Sequence, residues 1–534
     1  MSASINYPVE AHNIVIMGKP AKWQRSWTIH PLVHGDYSLL IYPKGFKERN
    51  FITRADINFK GENIAPHRHV FIIPKPLRQF KKWEWSLIKW SNTATLSLEK
   101  KHPPLSSLIF SSRATVKGTF NIKDIVRPKP HRFIVWSCNQ PFDTGEEGEP
   151  TLNPVVPSVF DWYQKQVERF QPDVIWGLGD TAYSDGCDAT NFIDKYYDHT
   201  QSLQLEQGKL DLTYDYRNMY LKHWSFKNLQ KSMRNYPHYC IWDDHEIRDG
   251  WGSEANDFEK GNDVIQLIAS KVANEYILNN GPRVREYYKN NSDKQSDAHQ
   301  AYIEGEIASF IFDGRSSRKY ADTGGQVISN EQMDDFKQFC NVVAKDKNIK
   351  YLVMGSAIPF INLHGFLENL ISKTPKVVTD RIAGIRDDVR DSWHSPGNIN
   401  QLKQLISVLR WLHRQHATLE IINVSGDIHV SNMFSFQPLG FTKALYQVTS
   451  SALSNREHPN DTLNDIIQIG STAWSEALGL VSRIWPTISD PNIILLKPKG
   501  TYLEVSLKIY DLDAEKKTLD SAKDLVYEVG KDRF

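Results

Sequence analysis

Cysteine is scarce in this chain. Its 534 residues contain four cysteines, Cys138, Cys187, Cys240 and Cys340, widely spaced and without a CxxC pair. That excludes a disulfide scaffold and a zinc ribbon, and it suits a reducing compartment in which a special cysteine serves as a ligand or nucleophile. No apolar run approaches the ~18 residues of a membrane span. Near the N-terminus only Ile14-Val15-Ile16-Met17 is continuously apolar, too short for the core of a signal peptide. The expectation is a cytoplasmic protein with no membrane span. Low-complexity tracts, internal repeats and a specific nucleic-acid motif are also missing.

What is present is a globular composition. At 40% hydrophobic and 24% charged residues, the chain can bury a sizeable core rather than stay disordered. Its length sets an expectation of roughly three domains, or two large ones. The net charge of +1 conceals an asymmetry. Residues 1–130 hold 21 Lys and Arg against 8 Asp and Glu, whereas residues 131–534 hold 43 against 55. A basic front can dock on the acidic body or attract an anionic surface.

Residues 1–130 read as a small β-rich, Trp-rich domain. Short apolar runs at Asp36–Tyr42, His69–Ile73, Ala94–Leu98 and Thr115–Ile122 are broken by Pro and Gly. Five of the fifteen tryptophans lie here, three of them within Trp83–Trp90 beside Lys81 and Lys82. Interleaved aromatic and basic residues can bind single strands or sugars; large side chains can equally buttress a neighbouring domain. Val126-Arg127-Pro128-Lys129-Pro130 reads as a linker.

From residue 131 strands and helices alternate, which predicts a layered α/β body. The strand candidates are Phe133–Ser137, Val174–Leu178, Tyr239–Trp242, Ile307–Phe312, Tyr351–Gly355 and Leu419–Val424. Helices are predicted over Ser158–Phe170, Ile328–Ala344 and Asn400–His413, the second opening with Ser329 and Gln332 in capping-box spacing. Residues 254–280 read as a helical insertion and 361–400 as a loop-rich excursion or lid. Residues 456–534 read as closing strands, Tyr502–Tyr510 among them.

Four strand ends run into polar loops. They carry Cys138-Asn139, Gly179-Asp180-Thr181-Ala182-Tyr183, Asp243-Asp244-His245-Glu246 and Gly426-Asp427-Ile428-His429. The carboxyl edge of such strands is where ligands bind in α/β sheets. Carboxylates gathered there repel one another unless a cation sits among them, and these residue types are suitable metal ligands. Each loop alone has an ordinary explanation, since Gly-Asp makes a good turn and a single cysteine behaves as a small hydrophobe. Four of them after strands point to a polynuclear metal site.

The runs Gly179-Asp180-Thr181-Ala182-Tyr183-Ser184-Asp185, Trp242-Asp243-Asp244-His245-Glu246 and Ser425-Gly426-Asp427-Ile428-His429, in that order, resemble PhoD-type alkaline phosphatases. These are a branch of the calcineurin-like metallophosphoesterase superfamily. Ser137-Cys138-Asn139 and Asp313-Gly314-Arg315 with Arg318 fit the same branch, and the resemblance covers about residues 130–455. It implies a metallophosphoesterase-type β-sandwich flanked by helices. It further implies Asp180 as a carboxylate bridging two metals, Tyr183 as a tyrosinate on ferric iron, and Cys138, Asp244, Asp427 and His429 as further ligands. Iron with calcium is the metal set it suggests, other divalent metals being compatible. The reaction implied is hydrolysis of phosphate mono- or diesters by in-line attack of a metal-held hydroxide on phosphorus. His245 would act at the leaving oxygen or orient Asp244, and Arg315 and Arg318 would grip phosphate oxygens or pair with nearby acids. Secreted members tend to have Asn near the position of Asp249, so a contact there would change from amide to carboxylate. The rival expectations are a hydrolase of non-phosphate esters, and a vestigial enzyme that binds an anionic surface or glycan through its front.

Overall fold

The structure, a computed structural model, describes residues 14–30, 37–46, 51–55, 65–90, 112–121, 130–144, 150–185, 191–197, 199–259, 261–284, 297–320, 324–361, 391–450, 452–454, 472–510 and 524–531. Cys187, the expected strand Ala94–Leu98 and most of the excursion 361–400 lie outside the described residues. Among the described residues no helix is long and apolar enough to cross a membrane.

The front consists of two antiparallel sheets. One has the order β1 (Ile14–Gly18), β2 (Gln24–His30), β5 (His67–Ile72); the other runs β4 (Phe51–Ala55), β3 (Tyr37–Pro43), β6 (Lys82–Trp90), β7 (Ser112–Asn121). Trp27, Trp83 and Trp85 are fully buried in the core between them, with Trp27 edge-on to Trp85 at 6.0 Å. These three rings are packing residues and are not offered to a ligand.

β1 joins front to body. Because alternate residues of a strand face opposite ways, Val15 and Met17 enter the front core while Ile14 and Ile16 enter the core of the body. Val15 N–H donates to Gln230 Oε1 at 3.0 Å, Lys19 N–H donates to the Asn280 carbonyl at 3.0 Å, and Lys19 pairs with Glu304 at 3.0 Å.

The body is a sandwich of two mixed sheets flanked by helices. The six-stranded sheet has the order β12 (His238–Ile241), β11 (Val174–Leu178), β8 (Phe133–Trp136), β21 (Asn492–Lys499), β22 (Tyr502–Ile509), β23 (Leu525–Val529). In it β8, β11 and β12 are parallel, and β21 to β23 extend it antiparallel. The eight-stranded sheet runs β13 (Gln300–Glu304), β14 (Ile307–Ile311), β15 (Tyr351–Ser356), β16 (Glu420–Ser425), β18 (Leu445–Thr449), β17 (Ser431–Gln437), β20 (Gly479–Ile488), β19 (Thr472–Ser475). A short hairpin pairs β9 (Phe142–Thr144) with β10 (Pro150–Leu152).

Both faces of the central strands are covered, as parallel strands require. Along β15, Tyr351 and Val353 pack into the core between the sheets, while Leu352 and Met354 join the outer core. That outer core is completed by α5 (Asn330–Lys345) and α6 (Ile399–Gln415). The six-stranded sheet is covered by α1 (Val156–Phe170), α2 (Glu206–Trp224), α3 (Lys227–Asn235) and α4 (Asn262–Ala273), whose buried residues belong to the first core.

The expected capping box at α5 is only half formed. Ser329 Oγ accepts from Gln332 N–H at 3.0 Å. The Gln332 side chain turns instead to the site-bearing loop, accepting from Asp313 N–H at 2.8 Å and donating to Asp297 and to the Asp313 carbonyl.

Candidate metal centre

The three parallel strands β8, β11 and β12 end side by side, and β16 of the facing sheet ends over them. Cys138 N–H donates to the Gly179 carbonyl, Asn139 N–H to the Asp180 carbonyl at 2.7 Å, and Gly426 N–H to the Ala357 carbonyl at 2.8 Å. This closeness explains two glycines. A Cβ on Gly179, whose φ is +85°, would lie 2.7 Å from Asp243 Cβ; one on Gly426 would lie 2.5 Å from the Leu178 carbonyl oxygen. Neither position has room for a side chain.

Backbone strain collects at the same place. Among the described residues the non-glycine positions with positive φ are Gln171, Cys138 (52°), Asp180 (51°), Asp427 (77°) and His429 (53°). Four of the five are expected metal ligands. Each such conformation costs on the order of 1–3 kcal/mol and persists only where the surroundings hold it.

The resulting cluster joins residues up to 291 positions apart in the chain. Ligand atoms within 4.8 Å of one another form three groups: Cys138, Asp180 and His429; Asp180, Asp244 and His245; and Asp180, Asp243, Asp244 and Asp427. Asp180 belongs to all three. Tyr183 adds its hydroxyl, 3.4 Å from Asp180 Oδ2 and 3.2 Å from His429 Nε2, and the Cys138 thiol donates to Asp180 Oδ2 at 3.6 Å. All six residues expected as metal ligands, Cys138, Asp180, Tyr183, Asp244, Asp427 and His429, are therefore neighbours.

The electrostatics call for a cation. Burial, with Cys138, Asp244, Asp243 and Glu246 nearby, pushes the Asp180 carboxyl well above the usual carboxylate range. Burial pushes the Cys138 thiol up to about 12 and the Tyr183 phenol well above its ordinary value. Asp180 Oδ1 and Asp243 Oδ2 are buried without a hydrogen-bond partner. Orphaned buried carboxylate oxygens cost several kcal/mol each in an apolar surround, by order of magnitude. The carboxylate, thiol, phenol and imidazole donors fit a metal in that place.

Behind the cluster stands a polar frame that the sequence did not single out. Glu246 accepts from the N–H groups of Asp180, Thr181 and Asp243 at 3.1, 2.6 and 2.8 Å, and from Thr181 Oγ1 at 2.7 Å. It fixes two ligand loops at once. Asp185 Oδ1 lies 2.6 Å from His245 Nδ1, and Asp249, largely exposed, lies 3.8 Å from His245 Nε2. Burial acts to lower the His245 pKa, but the Asp185 and Asp244 carboxylates outweigh it and raise it well above the ordinary value. The signal for Glu246 and Asp185 was available, since both lie inside the conspicuous loops.

The two arginines differ from each other. Arg315 is fully buried and saturated: Nε donates to Asp243, Nη1 to the Trp251 carbonyl and to Asp391 Oδ1 at 2.9 Å, and Nη2 to Asp391 Oδ2, with Asp244 3.4 Å away. Of the two roles expected of it, gripping phosphate oxygens or pairing with nearby acids, its guanidinium takes the second here, with its donors turned to carboxylates and the Trp251 carbonyl. Those acids are Asp391, Asp243 and Asp244; Asp313 beside it in the chain accepts from backbone N–H groups and from Trp242. Burial acts to raise the Asp244 carboxyl, but Arg315 and His245 hold it below the usual range. Arg318 binds Asp391 through Nη2, while its Nε and Nη1 are buried without partners.

A helix-flanked sandwich with an acidic, sulfur- and phenol-bearing cluster where its strands end is the architecture of a metallophosphatase. The sequence matches the PhoD-like phosphatase family over residues 133–465, so the chain belongs to that family and is a phosphoesterase. A solved structure of PhoD aligns over 96% of this chain and 88% of its own length, with TM-score 0.57 and 12% identity, which shows a shared fold. A dimetal phosphatase from Danio rerio aligns over 74% of this chain and 98% of its own, at TM-score 0.35 and 7% identity. No curated protein sequence matches the chain.

Proposed function

We propose that the chain is a metal-dependent hydrolase of phosphate esters, diesters or monoesters, working at a site for more than one metal ion. The observation that carries this reading is the fully buried Asp180, shared by three potential ligand groups and bearing an orphaned oxygen. In this reading Asp180, Cys138, Tyr183, Asp244, Asp427 and His429 would hold the metals, with Asp180 common to the ligand groups. Thiolate and phenolate suit ferric iron, and the carboxylates suit calcium or another hard divalent ion. Metal bound there would offset the negative charge of the ester and make a nucleophile available near neutral pH.

The chain's residues do the rest. Asp185 fixes the proton on His245 Nδ1, leaving Nε2 as the atom that meets the departing oxygen. The two unpaired nitrogens of Arg318, Nε and Nη1, are the donors for a non-bridging phosphate oxygen, and Arg315 keeps Asp243 and Asp244 in place. The basic front rests on the body through β1 rather than awaiting a partner, a reading supported by the split burial of that strand.

Two assays test this. An aryl phosphodiester or aryl monophosphate is expected to release nitrophenol while an aryl carboxyl ester does not; the reverse pattern would assign the site to another ester class. His245→Gln is expected to slow a phosphodiester with a poor alkyl leaving group by about 10²–10⁴-fold, the scale of general acid catalysis, and an activated nitrophenyl ester far less. Equal losses on both would remove His245 from the leaving oxygen.

A further inference from the structure

The metal centre occupies one end of β8, β11 and β12. At the other end of the same three strands the front and the body enclose a polar cleft of about 720 Å³, within the ordinary range of small-molecule sites. Arg132, immediately before β8, Asp173, immediately before β11, and Pro237, immediately before β12, line it together with Arg25 of β2.

Two features of this cleft are unusual in an idle surface. Arg25 is buried, its Nη1 and Nη2 donate only to the Gln24 and Asn121 carbonyls, and its Nε is buried without a partner. No carboxylate pairs with it among the described residues, and burial pushes its pKa below the ordinary value. A guanidinium taken out of water without a counter-charge is costly. On α1, Gln164 is likewise buried, with Oε1 unpartnered.

The cleft's acids are already engaged. Glu168 is paired with Lys231, and Asp173 Oδ2 accepts from Arg132 N–H at 2.9 Å. The half-buried Arg132 guanidinium rests over the Phe170 ring at 5.8 Å and forms no ion pair among the described residues. The wall therefore presents two cations that form no ion pair among the described residues, Arg25 and Arg132, against the single carboxylate of Asp173, and one buried acceptor, at Gln164. We propose that this cleft is a binding site for a small hydroxylated anion, a phosphate or carboxylate group meeting Arg25 and Arg132 and a hydroxyl meeting Gln164 Oε1. Such a ligand supplies the counter-charge that Arg25 lacks and clamps the front to the strand starts behind the metal centre.

The test uses the full-length, metal-loaded protein and measures binding of inorganic phosphate and of glycerate by calorimetry. Phosphate also reaches the metal centre, so the informative quantity is the difference between proteins. Wild type is expected to bind one phosphate or glycerate more than Arg132→Met, or to bind it at least tenfold more tightly, and Arg25→Met is expected to behave like Arg132→Met. Arg132 is half-buried, so its variant keeps the test valid if Arg25→Met fails to fold. Loss of phosphate alone identifies a phosphate site, and loss of glycerate alone a carboxylate site. Equal stoichiometry and affinity in wild type and Arg132→Met, for both probes, overturns the proposal. The outcome is independent of whether the metal centre hydrolyses esters.

Discussion

Asp180→Asn is expected to lower turnover of an aryl phosphodiester by on the order of a thousandfold or more, because changes behind metal ligands alone commonly cost 10–100-fold. The same substitution is expected to leave the metal-free protein as stable as wild type or more so. Asparagine has nearly the same shape, and Asp180 is a buried carboxylate with an orphaned oxygen among other acids. Ionising it in the fold is unfavourable, so neutralising it relieves the metal-free state. Stability and activity would then move in opposite directions, the pattern expected where a site stores strain for function. Thermal unfolding after chelation, beside turnover before it, checks both halves. Activity within tenfold of wild type would remove Asp180 from the centre of the mechanism.

Arg315→Met is expected to give the largest loss of stability. It removes the guanidinium that pairs with buried Asp243 and one of the two that pair with buried Asp391, which keeps Arg318, and breaking one side of a buried ion pair costs about 3–5 kcal/mol. Since Arg315 also faces Asp244, the variant is expected to bind metal more weakly. Adding Asp391→Asn lowers the excess negative charge left among Asp243, Asp244 and Asp391, so the double variant is expected to recover part of the loss. Unfolding of the two single variants and the double variant forms a cycle that isolates the coupling. Additive losses would mean that Arg315 and Asp391 do not act as a pair.

The central strands were legible because each is a short apolar run, and the four that lead into the centre are followed at once by a polar loop. β8, β11, β12, β14, β15 and β16 all fall within a residue or two of their expected spans. α1, α5 and α6 were legible because each buries a single apolar stripe. α2 was not. Its buried face mixes Leu212, Tyr216 and Tyr220 with Thr213, Arg217 and His223, while Leu210 and Tyr214 are exposed, so its sequence shows no clean period. The ligands themselves were legible as residue types at strand ends, but the frame was not. Arg315 and Asp391 lie 76 residues apart, and nothing in either neighbourhood predicts that they meet. Nor does sequence carry the left-handed backbone at Cys138, Asp180, Asp427 and His429, since none is glycine; that conformation is imposed where two sheets close on each other.

The decisive measurement is metal content and hydrolysis in the same preparation, before chelation, after it, and after metal is returned. More than one bound metal ion per chain is expected, with loss of phosphodiester hydrolysis when the metal is stripped and recovery when iron and calcium or another divalent ion are restored. Undiminished hydrolysis by protein shown to be free of metal would rule out a metal-dependent reaction at this site.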